Sequence, residues 1–290
     1  MSHKHKRQLQ VAVALLAMFA LPSSWAQQDE AIGETGTDPR DFAPKFMPYY
    51  RYTELENGLE EQVATLFGLF AFTKNTAMTY EIPLAKHLDV TGTDLNNNGN
   101  CDPTASLPPG PGFPGVSGFE GDCEEAGVGD MNLRFMTKLN EEGNLLAGVQ
   151  LDFPTATDPL LGSEQFKIGP MFAHVHDLTF WPAPGAFAAF MHFYFVDAFG
   201  DANRDDVDMY LGRYFFMLPV HPSGIYLLPE VQFIVDFEND DHTSLYVGPE
   251  IGKLLGPGRI IYIKPYFGVD PDEDEGDRSE GLEVGYRYFF

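Results

Sequence analysis

The sequence predicts an all-β fold: a transmembrane antiparallel up-and-down β-barrel of about 12 strands, of the Gram-negative outer-membrane type. Three observations carry this. The chain opens on an export signal and afterwards has no apolar run of the roughly 20 residues that a membrane-spanning helix needs, so a membrane-resident chain of this kind must span as a closed sheet. Hydrophobic residues make up 44% and aromatics 14% of the 290 residues. After the signal most of them alternate with polar residues, the period-2 pattern of a strand with two unlike faces. The connectors also alternate, short turns with longer or more acidic loops, as in barrels with both ends in the periplasm.

The first element is the signal, residues 1–26. Lys4, Lys6 and Arg7 precede the apolar run Val11–Leu21, and Ser24-Trp25-Ala26 places small residues where signal peptidase reads. Cleavage is expected after Ala26; the competing reading is an uncleaved anchor. Residues 27–45 are polar, with Gly, Asp and Pro, and read as a flexible periplasmic segment. Residues 46–290 are the expected barrel. Its candidate strands are 46–54, 62–72, 76–85, 128–138, 144–154, 166–176, 186–197, 207–218, 225–237, 244–253, 259–269 and 281–290. Thr73-Lys74-Asn75, Asn140-Glu141-Glu142-Gly143, Trp181-Pro182-Ala183-Pro184-Gly185, His221-Pro222-Ser223-Gly224 and Gly256-Pro257-Gly258 are tight-turn sequences. Between them fall a long extracellular loop at about 87–127, Asn239-Asp240-Asp241, and the acidic run 271–277.

Several strands reveal their two faces directly. In 259–269, Ile261, Ile263, Pro265, Phe267 and Val269 oppose Tyr262, Lys264, Tyr266 and Gly268. In 244–253, Leu245, Val247, Pro249 and Ile251 oppose Tyr246, Gly248, Glu250 and Gly252. Strands 128–138 and 144–154 set Leu133, Phe135, Val149 and Leu151 against Asn132, Arg134, Gln150 and Asp152. In the closing strand, Leu282, Val284, Tyr286, Tyr288 and Phe290 share the apolar face, against Glu283, Gly285 and Arg287. Tyr288 and the terminal Phe290 are the expected signal for the barrel-assembly machinery. Strands 62–72, 186–197 and 207–218 are apolar on both parities, so their register stays open; they would pack a plug or a narrow lumen. Pro83, Pro170, Pro229, Pro249 and Pro265 remove ladder donors and are expected at bulges or strand ends. Soluble β-sandwiches and lipocalin-like barrels alternate too, and are the competing folds.

The formal charge is −25, and loss of the three signal cations takes the mature chain to −28. That excludes nucleic acid as a partner, because its backbone calls for Lys and Arg. The expected partners are outer-membrane lipid, lipopolysaccharide and small-molecule solutes, with divalent cations at an acidic outer rim. Cys101 and Cys123, an even pair in one Gly/Pro-rich loop of an exported chain, are expected as a disulfide, against the alternative of two free thiols. No cofactor is expected. The candidate ion site is calcium at Asp94, Asn96 and Asn98, which resembles the start of an EF-hand loop; position twelve is Ala105 instead of Glu.

The inward parity collects Glu81, Arg134, Asp152, Lys167, Glu230, Glu250, Lys264, Glu283 and Arg287, together with Tyr246, Tyr262 and Tyr266. These are the candidate lumen-lining residues. Charges of both signs either fill a barrel by bonding one another or line a selective path. His221-Pro222-Ser223 and His242-Thr243-Ser244 have a His-x-Ser spacing, but the following strand offers no Asn to orient either His. His174 and His176 share one parity, as two metal ligands would, though a pair on a strand is more often lining. No catalytic residue is assigned, and the chain is not expected to be an enzyme.

Three segments then form a recurring pattern: Gly127-Val128-Gly129-Asp130-Met131-Asn132-Leu133-Arg134, Leu151-Asp152-Phe153-Pro154-Thr155-Ala156-Thr157-Asp158-Pro159-Leu160-Leu161-Gly162-Ser163, and Lys167-Ile168-Gly169-Pro170. The pattern resembles that of outer-membrane β-barrel transporters associated with the meta-cleavage pathway of phenol degradation, with Ala156 where Gly is usual. The resemblance implies an outer-membrane channel or transporter for small, often aromatic or hydrophobic, solutes. The alternative is a structural or surface-interaction barrel with a filled lumen and an acidic, disulfide-held, cation-binding outer loop.

Overall fold

The computed structural model describes residues 37–55, 60–89, 102–106, 117–120, 124–200, 206–238, 242–269 and 278–290. The expected signal peptide, Cys101 and Cys123, and the calcium candidates Asp94, Asn96 and Asn98 lie outside the described residues. The strands are β1 (Lys45–Leu55), β2 (Glu60–Thr73), β3 (Thr76–Asp89), β4 (Asp102–Ser106), β5 (Ser117–Glu120), β6 (Glu124–Gly127), β7 (Met131–Lys138), β8 (Leu145–Phe153) and β9 (Gln165–Asp177). There follow β10 (Phe187–Gly200), β11 (Asp208–His221), β12 (Ile225–Leu228), β13 (Glu230–Asp236), β14 (His242–Val247), β15 (Glu250–Gly256), β16 (Arg259–Gly268) and β17 (Arg278–Phe289). A short 3₁₀ turn, Pro159–Leu161, precedes β9.

The sheet is a closed antiparallel barrel of twelve staves. Three staves are each made of two collinear strands: β6 with β7, β12 with β13, and β14 with β15. β1 pairs with β17, with Arg51 opposite Glu283 and Lys45 opposite Phe289, so no edge is left unpaired. β4 and β5 form a separate ribbon. Each of the twelve strands expected from the alternation overlaps a stave.

The prolines explain the breaks. Pro229 divides β12 from β13, and Gly248 with Pro249 divide β14 from β15. The β2–β3 register shifts beside Pro83, from Ala64 opposite Ala85 to Thr65 opposite Pro83. A residue without N–H cannot serve a neighbour on its donor side, and at these three prolines the ladder steps around it; Pro170 and Pro265, expected at bulges or strand ends, instead sit in mid-strand in unbroken register opposite Val149 and Leu282.

Burial alternates along the staves. In β16, Tyr262, Lys264 and Tyr266 are buried, while Ile261 and Ile263 are half-buried and Phe267 is exposed. Phe70, Phe72, Phe172, Phe199, Phe216, Ile251 and Leu282 also stand exposed on the outer face. A soluble barrel would leave that much aromatic surface wetted at a cost; a lipid-facing wall calls for it. The three strands of open register are settled by their neighbours. Val63, Phe67 and Leu69 of β2, Met191, Phe193 and Phe195 of β10, and Met209, Leu211 and Phe215 of β11 line the interior. Both parities are apolar there because the inner wall is apolar too.

The recurring pattern is a staple across one end of the barrel. Asp130 accepts the Ala156 N–H at 2.9 Å, and the Ser163 N–H and hydroxyl at 2.7 and 3.0 Å. The Met131 N–H donates to Thr155 Oγ1 at 2.9 Å and the Val128 N–H to Thr157 Oγ1 at 3.0 Å. Gly162 is required by close approach: a Cβ there would collide with Ala156 and the Asp130 carboxylate. One carboxylate thereby ties the 154–164 loop to the start of β7.

Candidate functional site

Inside the barrel lies a cavity of about 290 Å³. Eleven of the twelve lining candidates border it: Glu81, Arg134, Asp152, Lys167, Glu230, Glu250, Lys264, Glu283, Arg287, Tyr262 and Tyr266. Tyr246 is also on the inner parity but is packed in the buried cluster at 5% exposure, away from the cavity. The lining is balanced in charge, with eight Lys or Arg side chains and eight Asp or Glu. The whole chain carries 18 basic and 43 acidic residues, so the acidic excess is placed elsewhere.

The charged wall is built from β1 and β11–β17. Glu230 accepts Arg213 Nε at 2.8 Å and Nη2 at 2.9 Å, Lys264 Nζ at 2.9 Å, and the Gln232 side-chain amide. Glu250 accepts both terminal nitrogens of Arg287, at 2.7 and 2.6 Å, and the Tyr226 hydroxyl at 2.6 Å. Glu283 accepts the hydroxyls of Tyr262 at 2.8 Å and Tyr266 at 2.6 Å. Glycine makes these contacts possible. Tyr262 sits opposite Gly285 and Tyr226 opposite Gly252, and a Cβ at either glycine would enter the facing ring. Each tyrosine therefore lies flat along the wall, and its hydroxyl reaches the carboxylate. The Arg287 guanidinium stacks 4.0 Å from the centre of the Tyr262 ring. On β2 and β3, Lys86 Nζ meets Glu61 Oε1 at 2.6 Å, with both side chains nearly inaccessible.

The opposite wall is apolar: Met191, Phe193 and Phe195 on β10, then Met209, Leu211 and Phe215 on β11, with Met136 and Leu228 at its margins. Between the walls runs a polar seam on β7–β9. There Arg134 Nε and Nη2 donate to Gln150 Oε1 at 3.0 and 2.6 Å, and Gln150 Nε2 donates to Asp152 Oδ1 at 2.8 Å. Glu81 accepts the Tyr49 hydroxyl and Asn132 Nδ2.

Of the segment 27–45, residues 37–44 are described, and they run into the cavity. Thr37, Asp38, Pro39 and Asp41 border it, and Phe42 is buried in the inner apolar cluster beneath Lys138 Nζ. Arg40 anchors the segment, with Nη2 at 2.8 Å from Asp38 and 2.7 Å from Asp177 at the end of β9. Burial disfavours the Arg40 charge, but Asp38 and Asp177 overcome this and hold its pKa above the ordinary arginine value.

Sequence reasoning missed Arg51, Arg213, Lys45, Lys86 and Tyr226. A rule was available for the cations: a charged residue in mid-strand faces the lumen whenever the other face meets lipid. His174 and His176 pack edge to face, with ring centroids 3.9 Å apart, and His176 is exposed. Among the described residues no group of three or more His, Cys, Asp or Glu is placed to hold a metal. His221 Nδ1 and Ser223 Oγ are 2.8 Å apart in an exposed turn, and His242 Nε2 lies 3.3 Å from Ser244 Oγ.

No family model matches the chain, and no curated protein matches it by sequence. Its structure resembles solved barrels. The COG4313 outer membrane channel from Pseudomonas putida F1 is 17% identical, with a TM-score of 0.59; the match covers 88% of this chain and all of that one. The NanC porin is 10% identical, with a TM-score of 0.52, over 86% of this chain and all of that one. These likenesses establish the fold: a closed barrel of the kind found in outer-membrane channels and porins.

Proposed function

We propose that this chain is an outer-membrane channel for small solutes about the size of one substituted ring, with an apolar face and a polar edge. The observation that carries the reading is the division of one partly open cavity, balanced in charge over its lining, into an apolar wall and a charged wall. A volume of about 290 Å³ suits a single small molecule better than a chain of sugars. The exposed aromatics of the outer face support residence in lipid, and the chain's opening residues support export through the inner membrane. The staple at Asp130 gives the pattern shared with the phenol meta-cleavage transporters a physical role, which favours the same solute class, small aromatic or hydrophobic compounds. Liposome swelling with the purified chain tests this. Benzenesulfonate, a one-ring solute whose permanent charge keeps it out of lipid, is expected to enter protein-bearing liposomes faster than empty ones, while a disaccharide does not. Equal entry of benzenesulfonate into both would overturn it.

The second reading is a structural barrel with a filled interior. The presence of Thr37, Asp38, Pro39 and Asp41 in the cavity lining favours it. It requires that no solute cross at all, so the same swelling experiment separates the two.

A further inference from the structure

We propose that the polar seam is a subsite for the carboxylate of a small amphipathic acid, with an aromatic monocarboxylate as the class that fits. This deepens the channel reading and rests on it. The cations of the charged wall are spent: Arg213 and Lys264 share Glu230, and Arg287 is held by Glu250. Arg134 and Lys167 differ. Among the described residues neither makes an ion pair, although both border the cavity and Lys167 is only 5% exposed.

Arg134 is held in a pose that leaves it half free. One edge of its guanidinium donates to Gln150, and its plane lies 4.8 Å from the centre of the Phe193 ring. Nη1 donates to no described residue, so a planar fork is presented with one side unused. Lys167 faces Asp152 across the β8–β9 ladder, on the rung next to the one joining Arg134 to Gln150. The two cations lie on the strands that flank β8, both on the inner face and both bordering the cavity.

The apolar part of the subsite adjoins them. The Phe193 and Phe195 rings are parallel within 7°, their centroids 5.8 Å apart. Gly169 lets the second ring lie down against β9, since a Cβ there would enter the Phe195 ring. An aromatic acid laid along these rings would bring its carboxylate to Arg134 and Lys167. It would break no existing ion pair. Two carboxylates oppose it: Asp152, tied to Gln150, and Glu81, which accepts the Tyr49 hydroxyl and Asn132 Nδ2. Benzoate is the probe, and benzyl alcohol its neutral counterpart of nearly equal shape.

Calorimetry on the detergent-folded full chain, paired with flux into proteoliposomes, tests the subsite. Benzoate is expected to bind at least about tenfold tighter than benzyl alcohol, the effect of one good charge-assisted hydrogen bond. The double variant Arg134→Gln with Lys167→Gln should erase the difference, and Asp152→Asn should widen it. Equal affinities in the native chain, or a preference unchanged in the double variant, overturns the subsite. Should the double variant fail to fold, Asp152→Asn decides alone: a preference that does not grow overturns the proposal. Flux of benzenesulfonate, which lipid excludes, through the native chain reports on the channel separately. Preferential benzoate binding without benzenesulfonate flux leaves the subsite standing and removes the channel. Benzenesulfonate flux without benzoate preference does the reverse.

Discussion

The two inner walls border one cavity and are held by different physics. On the charged wall, three carboxylates organise nearly everything. Glu230, Glu250 and Glu283 each accept two or more donors, and the tyrosines lie flat against glycines to supply them. On the apolar wall Met191, Phe193, Met209 and Leu211 have shape but no directional bonds. Breaking the charged wall at one point leaves other charges stranded, whereas the apolar wall can yield by rotamer changes. Charge in a lumen is thus no sign of a binding site when it is fully paired. Unpaired charge, as at Arg134 and Lys167, is what marks a place where a solute has something to gain.

The largest effect is expected from Glu230→Ala, which strands Arg213 and Lys264. Removing one member of a buried pair costs about 3–5 kcal/mol, read as a lower midpoint of urea unfolding in detergent. Leu211→Ala on the opposite wall removes packing beside an existing cavity and should cost about 2 kcal/mol, at the low end for core truncations, while raising single-channel conductance. A larger loss at Leu211 than at Glu230 would invert the comparison. Gly285→Ala should cost about 1–3 kcal/mol by overpacking. It pushes the Tyr262 ring off the wall and so deprives Glu283 of a donor, which a Tyr262→Phe background would reveal as non-additivity. The smallest stability effect belongs to Arg40→Ala. Its pair with Asp177 is largely exposed on the aspartate side, so the loss should stay under about 1 kcal/mol. Its readout is conductance, expected to rise as residues 37–44 lose their anchor; unchanged conductance would mean that the anchor does not hold the segment in place.

Much of this was legible before any coordinates. Tyr262, Lys264 and Tyr266 were assigned inward against Ile261, Ile263 and Phe267 from alternation alone, and burial follows that parity. Arg213 was missed because Tyr210, Leu211, Tyr214 and Phe215 are apolar on both faces of its strand, and a period of two cannot be read from a uniform run. Tyr246 shows the opposite failure. Its parity was right, but parity does not say whether an inward side chain reaches open space or packs among its neighbours. Residues 37–44 read as polar lead-in, and only the position of Phe42 in the inner cluster gives them a place.

The sequence by itself determined the staves, their order and, outside the three strands apolar on both parities, their two faces, because alternation and turn chemistry are local properties of a few neighbouring residues. Tertiary structure alone decided which carboxylate serves which cation, which half of the wall is apolar, and where two cations stand without an ion pair among the described residues. Those outcomes depend on the register in which whole strands pair, which no short stretch of sequence fixes. Arg213 meets Glu230 across one pair of neighbouring staves, and Arg287 meets Glu250 across β16, only once those strands lie in register.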